Sequence, residues 1–365
     1  MINVLFAGCG RISDLHALGY ENNPDAKIYG LFDPDTEKAE NKSNQWKAEK
    51  VYPSYAEALA DPAITLVEIL TPHHLHCEMA VEAAKAGKHV SLQKPMAMSL
   101  EEADRIIEAA EKNRITLRIY ENFVYYPPYV KARDLIMEGA IGDPLSFNLR
   151  VRCGFSPNAW DIPIDSWQWR FNPKTGGGCP VMFDHNYHNF SLALFLLGPV
   201  EKIAAWTGET EVIQDSGLTV DTPAAVIWKY KNKSTIGLMD VVMAPELIID
   251  SNYYADESRL EITGTRGIIF VNRCTGQLQN RPPVELYAEG ITTSYEHIPA
   301  GWEESFKAAT RDMIDSIMEG RQPRLSGKEG RDALAMTLAA GNSASSGQTV
   351  YLDSPAPGKV DQADD

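Results

Sequence analysis

Short apolar runs alternating with helix-length segments fill the first third of this chain, and few folds accommodate that alternation. Ile2 to Ala7 is the first run, closed by Gly8, Cys9 and Gly10. Lys27 to Phe32 ends at Asp33, Pro34 and Asp35, and Ile64 to Leu70 exits through Thr71 and Pro72. His89 to Leu92 delivers Gln93, Lys94 and Pro95, and Ile115 to Ile119 comes last. Between them the composition predicts helices from Ser13 or Asp14 to about Asn22, over Glu37 to Glu49, over Tyr55 to Leu59, and over Leu75 to Ala86 with Gly87 as C-cap. A further helix runs to Lys112 behind a capping box of Ser99 and Glu102. Strands joined by crossovers of this length run parallel, and right-handed crossovers build a doubly wound α/β sheet.

The loop after the first strand adds chemistry to that frame. Gly8 permits a tight turn, and Gly10 lets the backbone approach a pyrophosphate at a helix N terminus; Ser13 takes the third fingerprint position and is small enough for close packing. Asp33 stands at about the expected distance beyond the loop, where a carboxylate accepts hydrogen bonds from both ribose hydroxyls. It would repel a 2′-phosphate, and no arginine lies within Pro34, Asp35 and Thr36 to receive one. A Rossmann dinucleotide-binding domain over residues 1–121, with NAD favoured over NADP, is therefore expected.

After Tyr120 the pattern changes. Glu121 to Pro128 mixes aromatic and polar residues, Tyr129 to Glu138 reads as a helix, and Gly139 and Gly142 lead into a strand over Ser146 to Cys153. Alternating strands follow at Ile203 to Thr207, Ala224 to Tyr230, Ser234 to Asp240, Arg259 to Thr263, Ile268 to Val271 and Val284 to Tyr287. Such alternation predicts a large, mostly antiparallel sheet with one covered face. Helices over Phe190 to Leu197, Ser305 to Met318 and Glu329 to Ser346, with a closing strand at Val350 to Leu352, complete an α+β domain over residues 122–352. Residues 353–365, rich in Pro, Gly and Asp, read as a loose tail. The active site is expected between the two domains.

Candidate site residues cluster at strand ends and around one polar stretch. Lys94, fixed by Pro95 at a strand exit, is placed to hydrogen-bond a substrate hydroxyl and stabilise negative charge on its oxygen. Asp184 and His188, four residues apart and so on one helical face, suit acid/base chemistry in which His188 takes the hydroxyl proton and Asp184 orients or assists it. The role of His185 stays open between substrate contact and structure. Trp160, Asp161, Asp165, Trp167, Gln168, Trp169 and Arg170 bring aromatic faces beside polar groups, a composition suited to a sugar ring, although core tryptophans would read the same way. No metal is expected: His73, His74 and His76 lack a carboxylate or thiol at ligand spacing, and acid/base work is preferred to ligation for Asp184, His185 and His188. His73 or His74 is expected to line the cleft, with Thr71 and Pro72 beside the cofactor.

Composition sets the remaining limits. A formal charge of -16 argues against nucleic acid as a partner. No run reaches the length of a membrane span, and no basic leader precedes Ile2. Five widely spaced cysteines fit a reducing compartment, so a cytoplasmic location is expected.

Four segments together carry a resemblance: Ala7 to Arg11 with Asp33; Thr71, Pro72 and His76 with Ala83 to Pro95; Gly139, Ile141, Gly142 and Pro144; and Gly176 to Gly178 with Asp184, His188 and Gly198. The chain resembles the glucose–fructose oxidoreductase, inositol dehydrogenase and rhizopine-catabolism (Gfo/Idh/MocA) family across nearly its full length. That resemblance implies that the lysine before the proline, here Lys94, serves substrate binding and catalysis, and that Asp184 and His188 are the second domain's catalytic pair. It also implies dimers or tetramers formed through the open face of the large sheet. Gln93 departs from the family's usual glutamate, Asn186 stands where glycine is common, and the spacing from the glycine run is longer than usual.

The expected cofactor contacts are Gly8, Gly10, Arg11, Ile12, Asp33, Thr71, Pro72, His76, Gln93 and Lys94. The expected substrate contacts are Lys94, Asn122, Trp160, Arg170, Asp184, His185 and His188. The expected activity is NAD-dependent hydride transfer from a secondary hydroxyl of a sugar, glycoside, sugar acid or cyclitol. Its alternatives are an NAD-retaining epimerase or glycoside-cleaving enzyme, and a non-catalytic NAD-responsive regulator.

Overall fold

Six strands, β1 (Ile2–Ala7), β2 (Ala26–Phe32), β3 (Lys50–Val51), β4 (Leu66–Ile69), β5 (His89–Gln93) and β6 (Leu117–Tyr120), form an all-parallel sheet in the order β3-β2-β1-β4-β5-β6. The structure, a computed structural model, describes residues 1–160, 166–213 and 216–352. Asp161, Asp165 and the tail expected at residues 353–365 lie outside the described residues.

Helices cover both faces of this sheet, so its central strands are largely buried: Val4, Leu5, Phe6 and Ala7 have no exposed surface, whereas Lys50 of the edge strand β3 is exposed. Strand order reverses between β1 and β4, which opens a crevice at their carboxyl ends. The first helix is shorter than its sequence suggests, Ser13–Ala17. Turns follow it, and the Asn23 side chain donates to the Gly19 carbonyl at 3.1 Å while accepting from the Ala26 amide at 3.2 Å. The side chain thus satisfies groups that a continuing helix would have paired. Before the helix Leu100–Asn113, Ser99 accepts from the Glu102 amide as expected, but the Glu102 carboxylate reaches the Met98 amide at 2.9 Å rather than that of Ser99.

The second sheet has nine strands: Ile291–Tyr295, Val284–Ala288, Gly267–Val271, Asp256–Gly264, β7 (Pro144–Phe155), Ile236–Ile248, Ala224–Tyr230, Val200–Thr207 and Val350–Tyr351, in that order across the sheet. All neighbours are antiparallel except β7 with Ile236–Ile248. Phe147, Leu149, Val151 and Cys153 alternate inward from β7 and share a core with Phe190, Leu192 and Leu196 of helix Asn186–Leu197 and with Met336 and Ala340 of helix Gly327–Ser346. The latter helix also packs on Leu100–Asn113 and so joins the two halves of the chain. The opposite face of the sheet leaves Trp206, Ile227, Leu238 and Tyr287 exposed. Among the described residues no helix is long and apolar enough to cross a membrane, and all five cysteines are free.

Candidate active site

The loops after β1 and β4 touch at the crevice. Gly8 has φ +104°, and a Cβ on it would sit 2.7 Å from the Leu70 carbonyl oxygen, so only glycine closes this approach. At Gly10 a Cβ would meet nothing within 4 Å. No neighbouring atom demands glycine there, and the Gly10 carbonyl accepts from the Ser13 amide and hydroxyl. Asp33, just past β2, accepts from the Cys9 amide at 2.8 Å through Oδ2 and from the Asp35 amide at 3.0 Å through Oδ1. Each oxygen retains a lone pair, and the carboxylate also braces the glycine loop, a second task that sequence does not reveal. Ile12 packs into the core beneath the loop, while Arg11 turns outward with its guanidinium 4.5 Å from the Trp160 ring. Trp160 also packs edge-on against Tyr253 and Tyr254.

His76 is fully buried, its ring lying between the Pro95 carbonyl at 2.8 Å and the Thr71 carbonyl at 2.9 Å. Burial, helped by neighbouring His73, pushes its pKa down to about 3. The neutral ring has one N–H and so donates to only one of these two oxygens.

Gln93 lies at the top of a buried network. Its amide nitrogen is 2.8 Å from His16 Nε2, and its carbonyl accepts from the Lys94 amide at 2.8 Å. His16 Nδ1 lies 2.6 Å from Glu68 Oε1, Tyr20 donates to Glu68 Oε2 at 2.8 Å, and Arg118 lies 3.7 Å from the same carboxylate. With Nδ1–H facing Glu68, His16 presents a lone pair at Nε2 and requires a donor there. The amide of Gln93 supplies one, which an ionised glutamate cannot do.

Lys94 Nζ donates to Asp184 Oδ1 at 2.7 Å and to the Asp184 carbonyl at 2.9 Å. Arg170 Nε donates to Asp184 Oδ2 at 2.7 Å, and His73 Nε2 lies 3.4 Å from Oδ1. Burial alone would raise the Asp184 carboxyl, but Lys94, Arg170 and His73 together hold it well below the usual range. Asp184 is thus paired with Lys94 and Arg170, not with His188 as its helical spacing suggests. The reason is a π-helical turn over Pro180–His185, which absorbs the long spacing from the glycine run and widens the backbone. The turn is anchored where the Val181 and Met182 amides donate to the Asp221 carboxylate at 2.8 and 2.7 Å.

His188 finds its partner elsewhere. Its Nδ1 lies 2.6 Å from Glu121 Oε2, close but off the line of an ideal hydrogen bond, and its ring stacks on Phe123 at 4.6 Å. Burial lowers its pKa, Lys94 adds to that effect, and Glu121 opposes it. A proton on Nδ1 facing Glu121 leaves Nε2 with its lone pair. Glu121, fully buried just past β6, was not singled out from sequence; an acid immediately beyond a strand that ends at the crevice was the available signal. Of the two candidate cleft histidines, His73 is buried against Asp184 and Trp169, while His74 is exposed. Asn122 is buried and donates to Ser305 Oγ at 2.9 Å, and His185 turns toward Asp256.

Two family models match this chain: the oxidoreductase family's NAD-binding Rossmann fold over residues 2–121 and its C-terminal alpha/beta domain over residues 133–352. The chain belongs to this oxidoreductase family, Gfo/Idh/MocA. It is 25% identical to the myo-inositol 2-dehydrogenase of Thermotoga maritima, over 95% of this chain and 97% of that protein. Its fold is shared with an oxidoreductase from Agrobacterium radiobacter solved in complex with NAD+, L-tartaric acid and magnesium, with a TM-score of 0.84, 23% identity and coverage of 96% and 98% of the two chains. A levoglucosan dehydrogenase solved with NADH and levoglucosan gives a TM-score of 0.82 at 24% identity, with coverage of 97% and 100%. The family's cofactor is NAD, and the residues fit it: the space on the Cβ side of Gly10 is open, and Asp33 stands with free lone pairs at the neighbouring strand end.

Proposed function

We propose that the chain is an NAD-dependent dehydrogenase of a secondary hydroxyl on a sugar, glycoside, sugar acid or cyclitol. The observation that carries this reading is the pairing of Lys94 with Asp184 beside an imidazole oriented by a buried carboxylate. Lys94 spends its hydrogen bonds on one residue and keeps a donor for the substrate oxygen. The ammonium stabilises alkoxide character there, and Nε2 of His188 takes the hydroxyl proton as Glu121 supports the imidazolium that forms. Bound NAD supplies the acceptor for the hydride leaving the same carbon. Reduction of the ketone reverses each of these proton and hydride movements.

In this reading the loop Gly8 to Ile12 and Thr71 and Pro72 border the dinucleotide, and Asp33 receives its ribose. Arg170 and Trp160 flank the substrate side, supported by the Arg170 bond to Asp184 and the position of Trp160 beneath Arg11. A second copy of the chain covers the open face of the large sheet, supported by the exposed Trp206, Ile227 and Leu238. The free cysteines support a reducing, cytoplasmic setting.

Incubation with NAD+ and a panel of cyclitols, aldoses and sugar acids tests the reading. Net NADH with a matching keto product is expected from at least one of them. An isomerised or cleaved product without net NADH would replace it with transient oxidation.

A further inference from the structure

Three donors of different chemistry converge beside the π-helical turn, where Cys153 and Asp256 also interact with each other through their side chains. Cys153 is the last buried inward residue of β7, and Asp256, first residue of the neighbouring strand, is its cross-strand partner. His185 closes the turn that carries Asp184. The Cys153 thiol, a His185 ring nitrogen and an Asp256 carboxylate oxygen all lie within 4.8 Å of one another. His185 Nε2 is 3.8 Å from Asp256 Oδ2, too far for a hydrogen bond. Among the described residues Asp256 forms no ion pair with a lysine or arginine, and the His185 ring makes no hydrogen bond. The thiol is nearly sealed, whereas the His185 and Asp256 side chains are 21% and 26% exposed, so the group has a closed floor and an open rim.

We propose that Cys153, His185 and Asp256 bind a divalent transition-metal ion of the zinc class. Thiolate, imidazole and carboxylate form a borderline-soft donor set, whereas magnesium and calcium require oxygen ligands throughout. A tetrahedral ion at about 2.0–2.3 Å from each donor holds its ligands roughly 3.3–3.8 Å apart, so small side-chain rotations close the site. Three protein ligands would leave a fourth position for water. This site differs from the Asp184, His185 and His188 set weighed from sequence, because Asp184 is held by Lys94 and Arg170 and His188 faces Glu121.

The full-length protein, stripped with chelator and titrated with Co2+ alone, provides the test. One ion per chain is expected, with a thiolate-to-cobalt charge-transfer band and displacement by Zn2+. Cys153→Ser should remove the band. Because Cys153 packs in the core, Asp256→Asn and His185→Gln at the rim are the second line, each weakening Co2+ binding about 10- to 100-fold with the metal-free melting temperature unchanged. Absence of the band in the native protein overturns the proposal, as does a band that survives Cys153→Ser with unaltered affinity in both rim variants. No readout depends on turnover, so failure here and failure of the dehydrogenase reading are distinguishable.

Discussion

His188 carries the pH dependence of the proposed chemistry. Its lowered pKa keeps it neutral, and able to accept a proton, below the ordinary histidine value of about 6.5. The kcat/KM profile should therefore lose activity on the acid side only below that value, since protonation removes the base. His188→Asn should abolish that limb and cut kcat by about 10²–10⁴, with NAD affinity within a few-fold. A pH–rate series checks this, and an unaltered limb would place the base elsewhere. Glu121→Gln removes the one anion that raises the His188 pKa, so the limb should shift further to acid while kcat falls about tenfold or more. At Asp33, substitution by Ala should erode the preference for NAD over NADP, read as a ratio of dissociation constants. An unchanged ratio would reject the ribose assignment.

Among the elements, the loop after β1 separates two uses of glycine. Gly8→Ala meets the Leu70 carbonyl at a left-handed backbone position and should cost about 1–3 kcal/mol of stability. Gly10→Ala enters open space, so the fold should lose no more than about 0.5 kcal/mol while NAD affinity drops at least about tenfold. Denaturant melts and NAD titrations of the two variants decide between these outcomes. The loop was legible because strand, turn and acid lie close in sequence, and the second sheet was legible because its inward residues alternate. Ile291–Tyr295 escaped notice because four of its five residues are exposed, leaving no alternation to read. Side-chain partners were the least legible part. Asp184 meets residues 90 and 14 positions away. The π-helical turn that moves it off the His188 face has no sequence signature beyond a long spacing from the glycine run, and the demand for a donor at Gln93 arises from His16, 77 residues distant.

Over the whole molecule, burial of imidazoles sets how stability depends on pH. His16, His73, His76 and His188 all have lowered pKa values, chiefly through burial. The unfolded chain therefore binds protons that the folded one refuses. Stability should be full above about pH 6.5 and fall as the pH drops, for His76 down to about 3, at about 1.4 kcal/mol per pH unit for each such proton. Thermal melts across that window should show a shallower slope for His76→Gln. On the sheet, Ile227 pairs across strands with Leu238 and Ala204, forming an apolar stripe. Changing Ile227 and Leu238 together to Glu should convert a sedimenting oligomer to monomer, and a native chain already monomeric would reject that interface. In the proposed mechanism hydride transfer to bound NAD requires both Lys94 and His188. Single-turnover NADH formation with an accepted polyol measures it most directly: Lys94→Ala and His188→Asn should bind NAD+ near-normally yet lose the NADH burst, and a full burst from either variant would contradict the account.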